Sequence, residues 1–334
     1  MTTIVELPIF DDRPWALPTP IFRIGTPPLK SQGIKTKLIP FIAQSINWRP
    51  GRGSRWIEPF LGTGVVALNI APPNALLSDI NPHVVSVLRS IQAGVITPES
   101  AHQVLAKMGD LLSANGESYY YEIRHRFNEE GDPMDFMFLN RASFNGIIRF
   151  SKKSGFNTPF GHRPERFRPA FLTKVANQVA WAQGQMAGKN WEFTVCDWRD
   201  SVATAVEGDF VYLDPPYVGR NADYFSQWSD AEAVALAKEV PRTEAGFALS
   251  MWLENEHRKN DHIEKWWPET DLRLASHFYH VGASESQRKP MTEALAIRRG
   301  FATSGLDTFV TGRSLRDRMA DASTHSSPID EQAG

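Results

Sequence analysis

With 334 residues, 42% of them hydrophobic and 22% charged, the chain is long enough to bury a sizeable core and has the composition of an ordinary globular protein. No apolar run approaches the ~20 residues that span a bilayer. The opening MTTIVELPIFDDRPW carries acids and prolines early, unlike a secretory signal, and the single cysteine, Cys196, excludes an internal disulfide or a multi-cysteine zinc site. A protein of the reducing cytoplasm, without membrane contact, is the expectation.

In chain order, residues 1–28 are proline-rich without a sustained period and read as an extended lead-in. KLIPFIAQSI predicts a short helix with an early proline. RWIEPFLGTG predicts a short strand ending in a glycine loop, GVVALNIA the opening of a helix, and ALLSDINPHVV a second buried strand ending at Asp79 with a helix after it. That alternation argues for a parallel α/β sheet. From about Pro82 to Trp191 the pattern turns helical, as in SAHQVLAKMGDLL and YYYEIRHRF. Strand-like runs return at WEFTVCD, DFVYLDPP and GFALSMW, with DAEAVALAKEV helical between the last two. LRLASHFYHV and EALAIRR are expected to pair as an antiparallel hairpin, and residues 313–334 read as a disordered tail. The predicted fold class is α/β: a sheet domain over 29–85 and 190–312, split by a mainly helical insert over 86–189.

The net charge of −2 hides its distribution. Arg141, Arg149, Lys152, Lys153, Arg163, Arg166, Arg168 and Lys174 face only one acid in that stretch, Glu165, a local charge of +7. On charge alone this is equally a solvated surface run. The interleaved Phe144, Phe150, Phe156, Phe160 and Phe167 favour a nucleic-acid surface, because aromatic rings stack on bases or wedge into a step.

The sharpest chemical signal is Asp214-Pro215-Pro216-Tyr217 after the apolar run Phe210–Leu213. A carboxylate at the C-terminal end of a buried strand sits where open α/β sheets bind ligands. Two prolines fix the backbone and present carbonyl oxygens. Asp214 and the Pro215 carbonyl together accept both hydrogens of a planar amine, and Tyr217 stacks on its ring; the competing reading is a proline turn after a core strand. The second signal is the loop Glu58-Pro59-Phe60-Leu61-Gly62-Thr63-Gly64, with Asp79 ending the next strand where an acid accepts ribose hydroxyls. Ala67 replaces the last glycine of a dinucleotide fingerprint and no Walker lysine follows, which points to an adenosyl ligand without phosphates. Lys35, just before the first strand, is placed to meet a ligand carboxylate, or is a solvated lysine. Asp197, ending WEFTVCD, is either near a bound adenine or a simple strand-end cap.

Together, Glu58–Gly64, Asp79, the run from Phe144-Asn145-Gly146 through Phe156-Asn157-Thr158-Pro159-Phe160-Gly161, and Asp214–Tyr217 resemble the Dam-type (D12 class, alpha group) adenine-N6 DNA methyltransferases over about Lys30 to Arg298. The resemblance implies a Rossmann-like sheet that binds S-adenosyl-L-methionine, with an inserted, mainly helical DNA-recognition domain. It implies that Ser31, Lys35, Phe60, Gly62, Gly64, Asp79, Asp197 and Asp214 hold the cofactor, and that Asp214, Pro215, Pro216 and Tyr217 carry catalysis. It also implies that Phe144 wedges into the duplex, that Asn145, Ile147, Arg149, Pro159 and Arg163 lie in the base-reading segment, and that Lys30 touches DNA near the cofactor entrance. Four departures stand out: Ser31 where the family often has tryptophan, Ile34 where it often has glycine, Arg163 where it often has tyrosine, and a short loop, VGRNADYFSQWSD, after Tyr217. The implied chemistry flips adenine out of double-stranded DNA and needs neither a metal nor Cys196. A monomer is expected, with a companion restriction endonuclease on the same site among the roles the resemblance allows. Arg149 is compatible with a guanine contact, as in GATC. The alternatives are methylation of cytosine N4, RNA adenine or a protein glutamine, the last disfavoured by the +7 segment, and, from another class, a catalytically silent DNA-binding regulator.

Overall fold

The computed structural model of the chain describes residues 15–31, 33–216, 228–255, 258–259, 262–279, 289–304 and 308–310. Tyr217, most of the short loop after it, residues 1–14 and the predicted tail 313–334 lie outside the described residues. The elements run α1 (Ile39–Ser45), β1 (Trp56–Glu58), α2 (Val65–Ile70), β2 (Asn74–Asp79), α3 (Pro82–Gln92), α4 (Pro98–Asn115), α5 (Glu117–Glu130) and α6 (Pro133–Ala142). They continue with β3 (Phe150–Ser151), β4 (Gly155–Phe156), α7 (Pro169–Met186), β5 (Asn190–Val195), α8 (Trp198–Ala203), β6 (Phe210–Leu213) and α9 (Asp230–Glu239). Then come β7 (Gly246–Asn255), β8 (Arg258–Lys259), α10 (His262–Trp266), β9 (Thr270–Tyr279), β10 (Lys289–Arg298) and β11 (Thr308–Val310).

Helix starts follow from local chemistry. α3, α4, α6 and α7 each open on a proline, where a missing N–H costs nothing. Asn81, Thr97 and Asp132 cap the first three of these by accepting backbone N–H bonds, Thr97 in a reciprocal box with Ser100.

The main sheet has the order β11-β9-β10-β7-β6-β1-β2-β5, with β8 attached to β7. β7, β6, β1, β2 and β5 are mutually parallel, while β10 runs antiparallel to both β7 and β9. The predicted hairpin is therefore present, pairing Thr270 with Arg298 through Tyr279 with Lys289. Strand residues alternate between two cores. Trp56, Leu77, Phe210 and Tyr212 pack with α1 to α7, whereas Ile57, Leu76, Val211 and Leu213 pack with α8, α9 and α10. A sheet buried on both faces explains why its central strands read as continuous apolar runs. The chain leaves β1 toward β2 on one side and returns to β6 on the other. That reversal opens a crevice at the C-terminal ends of β1 and β6.

The residues between β2 and β5 share the first core with the sheet. Position 86, the expected start of the insert, falls inside α3. Phe127, Phe136, Phe150 and Phe156 of the insert form one aromatic cluster with the His83 ring at the start of α3, His83 stacked on Phe150 at 5.0 Å and Phe127 on Phe136 at 5.3 Å. This corrects the reading of the interleaved phenylalanines as a nucleic-acid surface. Phe150, Phe156, Phe160 and Phe167 are core residues, and of the five only Phe144, at 51%, is exposed. The β3–β4 hairpin is too short to hold itself, so its rings anchor it to the helices. The lead-in is also tied down: Leu17 is buried and bridges Trp48, and Gly25 exchanges two hydrogen bonds with the Asn69 side chain.

Phe156→Ala is expected to cost about 3–5 kcal/mol, lowering the urea midpoint at unchanged m, while Phe144→Ala changes stability by no more than about 0.5 kcal/mol. Equal effects in urea unfolding would contradict the assignment of core and surface.

Candidate active site

The crevice holds a cavity of about 340 Å³ walled by the glycine loop, Asp79-Ile80-Asn81, Asp197-Trp198, Asp214-Pro215-Pro216, Ser31, Lys35, Ile148, Trp228 and Glu232. Its volume lies within the range of small-molecule sites, about 300–1,000 Å³. The loop turns through Gly62 and Gly64 at φ of +51° and +73°, a left-handed conformation that disfavours side chains. The Gly62 N–H donates to Asp79 Oδ2 and the Asn81 N–H to Oδ1, both at 2.8 Å. Asp79 thus clamps the loop after β1 to the turn after β2. Burial raises its pKa, and the N–H bonds from Asn81, Gly62 and Ile80 counteract this.

Of the expected cofactor residues, Ser31, Lys35, Phe60, Gly62, Asp79, Asp197 and Asp214 all line the cavity. Gly64 stands behind it as the left-handed N-cap of α2. Asp197 caps α8 through the Arg199 N–H at 3.0 Å, its cap reading, and also lines the cavity. Phe60 meets Trp228 edge to face at 5.3 Å, and Glu232 is fixed by the Trp198 indole N–H and by Arg199.

Lys35 is buried, with its Nζ 3.3 Å from Asp214 Oδ1 and 3.3 Å from Glu293 Oε2. The ammonium placed by its sequence position to meet a ligand carboxylate therefore lies between two carboxylates of the chain itself. Glu293 reaches it from β10, where the pairing with β7 slips between Thr292 and Glu293. Such a bulge bends the strand and re-aims the adjoining side chain. Burial lifts Asp214 to about 6, Lys35 opposing the rise and Glu293 adding to it. Below the site, Glu58 is raised to about 8, chiefly by burial, although its Oε2 accepts the Trp56 indole N–H at 3.0 Å. Near neutral pH Glu58 is thus held mainly as the carboxylic acid, near the Lys35 ion cluster.

Two of the expected DNA residues adjoin cavity-lining positions in sequence, Lys30 beside Ser31 and Ile147 beside Ile148. Phe144 and Asn145 project from a tight turn, with Asn145 at φ +53°, and the Phe144 N–H bonds the Pro159 carbonyl at 2.9 Å. Buried Asn140 holds this turn to the cavity entrance: its amide bonds the carbonyls of Lys30 and Gly146, and its oxygen accepts the Lys30 N–H at 2.8 Å. Ile147 is half-buried, Pro159 and Arg163 are exposed, and Ile148 joins the cavity wall. Arg149 directs Nε and one Nη to Asn157 at 2.6 and 2.8 Å, so part of its fork braces the hairpin. Arg141 is buried, and Arg166 donates to the carbonyls of Arg141 and Ser143, both at 2.9 Å. Some of the +7 segment is therefore internal scaffolding. Among the described residues, no group of three His, Cys, Asp or Glu is placed to hold a metal ion, and no helix is long and apolar enough to cross a membrane.

Sequence reasoning passed over Glu293, Trp228, Glu232 and Ile148. Glu293 was findable as the one acid in the apolar run TEALAI; Trp228 and Glu232 lie in an ordinary amphipathic stretch and carry no such signal.

A reversing α/β sheet with a glycine loop after β1, an acid after β2 and Asp-Pro-Pro after β6 defines a Rossmann-like methyltransferase. The family model of D12 class N6 adenine-specific DNA methyltransferases matches residues 31–282. The chain is 30% identical over 257 residues to the DNA adenine methylase of Escherichia coli (strain K12), covering 74% of this chain and 87% of that protein. It is 26% identical over 255 residues to the DNA adenine methylase of Vibrio cholerae serotype O1 (72% and 86% covered). It is 25% identical over 280 residues to the type II methyltransferase M.FokI of Planomicrobium okeanokoites (80% and 42% covered). The chain belongs to the D12 class and is an enzyme that methylates adenine in DNA.

Glu58 supplies a stability test. Its pKa is higher folded than unfolded, so between about 4.5 and 8 the folded state binds the extra proton. Stability then falls as pH rises through that window, by an amount of order 1 kcal/mol per unit. Glu58→Gln is expected to remove this decline, so that variant and wild type diverge in urea unfolding as pH rises from 5 to about 8; parallel curves would show that Glu58 ionises normally.

Proposed function

We propose that the methyl donor is S-adenosylmethionine, that the substrate is double-stranded DNA, and that the target adenine is flipped into the cavity to meet Asp214 and the Pro215 carbonyl. The observation that carries this reading is the Asp214 carboxylate, held on the cavity wall by buried Lys35 at the sheet's reversal point. The cavity fits the donor in kind. Asp79 and Asp197 offer acceptors for hydroxyl and amine groups, while Phe60, Ile80, Val84 and Trp198 offer apolar walls for a purine ring. When bound, S-adenosylmethionine supplies an electrophilic methyl group.

The chain's own work is to make a poor nucleophile competent. An adenine amine delocalises its lone pair into the ring. Accepting its two N–H bonds at Asp214 and the Pro215 carbonyl favours a tetrahedral nitrogen with an available lone pair. The charge that grows on nitrogen strengthens both bonds in the transition state, and only such a gain accelerates the step. Flipping costs a few kcal/mol, which Phe144 offsets by filling the vacated stack. Tyr217 completes the slot by stacking on the base. Lys30, Asn145, Ile147, Arg149, Pro159 and Arg163 engage the duplex, with GATC the first sequence to try. The likeness to M.FokI, named a type II methyltransferase, favours a role beside a restriction endonuclease.

The test is incubation of the purified protein, as a monomer by sedimentation, with radiolabelled S-adenosylmethionine and unmethylated duplex DNA, followed by digestion to nucleosides. Label on N6-methyladenosine is expected; label on N4-methylcytosine or transfer only to RNA overturns the substrate. Asp214→Ala is expected to lose about 100-fold or more in kcat while still binding DNA, and an active variant would remove Asp214 from the mechanism.

The same residue sets a pH limb. Only its carboxylate accepts the amine proton, so kcat/KM is expected to fall as pH drops below about 6. A profile flat to pH 5 would contradict the assignment.

A further inference from the structure

Residues 25–31 lead from the active site to a second depression of about 370 Å³. Ser31 lines the first cavity, while Gly25 and Thr26 form one wall of the second. The other wall is α7, through Thr173, Lys174, Asn177, Gln178 and Trp181. The segment from Thr26 to Ser31 spans at most ~18 Å when extended, about five steps along B-form DNA. The groove is preformed. A Cβ on Gly25 would lie 1.9 Å from the Trp181 ring, so this segment and α7 are in close contact there. Behind it, buried Arg141 donates to Gln178 Oε1 at 2.9 Å and to the Pro28 carbonyl at 3.0 Å.

Lys174 brings a cation to the groove. Its lining is rich in donors and contains no carboxylate. Lys30, between the groove and the active-site cavity in sequence, is lowered to about 8, first by burial and then by Arg141, Arg166 and Lys174. An anion seated at Lys174 relieves part of the repulsion that Lys30 feels. In a chain of net charge −2, the concentration of these cations is local. None of the base-reading positions lies on α7.

We infer that this groove seats a backbone phosphate of duplex DNA flanking the target adenine, with Lys174 as its cation and Thr26, Asn177 and Gln178 as surrounding donors. The inference rests on the reading of the chain as acting on duplex DNA. A phosphate seat positions the duplex without reading its sequence, so it makes affinity depend on the length of flanking DNA.

The experiment measures binding against KCl concentration for a long duplex and for one cut back to about three base pairs on each side of the target. For wild type the long duplex is expected to show the steeper salt dependence. Lys174→Ala is expected to reduce the slope of log K against log salt by about 0.9, the value for one phosphate, on the long duplex and to leave the short duplex unaffected. Lys238→Ala, on α9 across the sheet, is the control and changes neither. An equal effect of Lys174→Ala on both duplexes, or none on either, overturns the groove. Wild-type protein that binds neither duplex and methylates neither would instead overturn the reading beneath it.

Discussion

A buried lysine stays charged when carboxylates replace the water it has lost, and Lys35 sits 3.3 Å from each of two that arrive from distant parts of the chain. Asp214 comes from the end of β6 and Glu293 from β10, which enters the sheet antiparallel beside β7. Removing one member of such a cluster leaves an uncompensated charge, at a cost of roughly 3–5 kcal/mol. The sheet order, the slip at Thr292–Glu293 and the position of residues 31–35 therefore depend on one another. Burial alone drives Asp214 toward its protonated form, and Glu293 adds to that, so Lys35 is what keeps the carboxylate available near neutral pH. Glu58, without a cation, remains protonated beneath it.

The same economy of polar groups couples substrate recognition to chemistry. Asn140 is fully buried and spends its amide on Lys30 and Gly146, so the cavity entrance and the turn bearing Phe144 are one hydrogen-bonded unit. Arg166 secures the other flank of that turn through the Arg141 and Ser143 carbonyls, where its charge also meets the C-terminal end of α6. Displacing the turn disturbs the entrance by way of bonds rather than through a flexible link.

Much of this was legible in the chain. Strand-loop-helix alternation, prolines at helix starts and the acids at the ends of central strands are local signals, and they mark Asp79 and Asp214 as ligand-side acids of the sheet while leaving Asp197 open between a ligand contact and a cap. What stayed hidden is non-local. Nothing near Lys35 announces a partner 258 residues away, and nothing near Phe156 distinguishes a ring that stacks on bases from one that packs on Phe127 and Phe136. Alternating aromatic and basic residues suit both outcomes, because a short hairpin needs apolar anchors as much as a duplex needs cations.

Counting charges along the chain fails for a related reason. An arginine has several donors, and in a loop-rich segment backbone carbonyls compete for them. Arg141 and Arg166 satisfy carbonyls, and Arg149 satisfies Asn157. The +7 of the linear stretch is thus divided between scaffolding and an exposed remainder at Lys152, Lys153, Arg163, Arg168 and Lys174. The scaffolding charges are not lost to the surface, however. Lys30 holds its proton less firmly chiefly because it is partly buried, and Arg141 and Arg166 behind the turn add to that by raising the potential it feels. Charges withdrawn from solvent are less screened by salt than exposed ones, so buried Arg141 and half-buried Arg166 contribute to the field at Lys30 even while they serve as scaffolding.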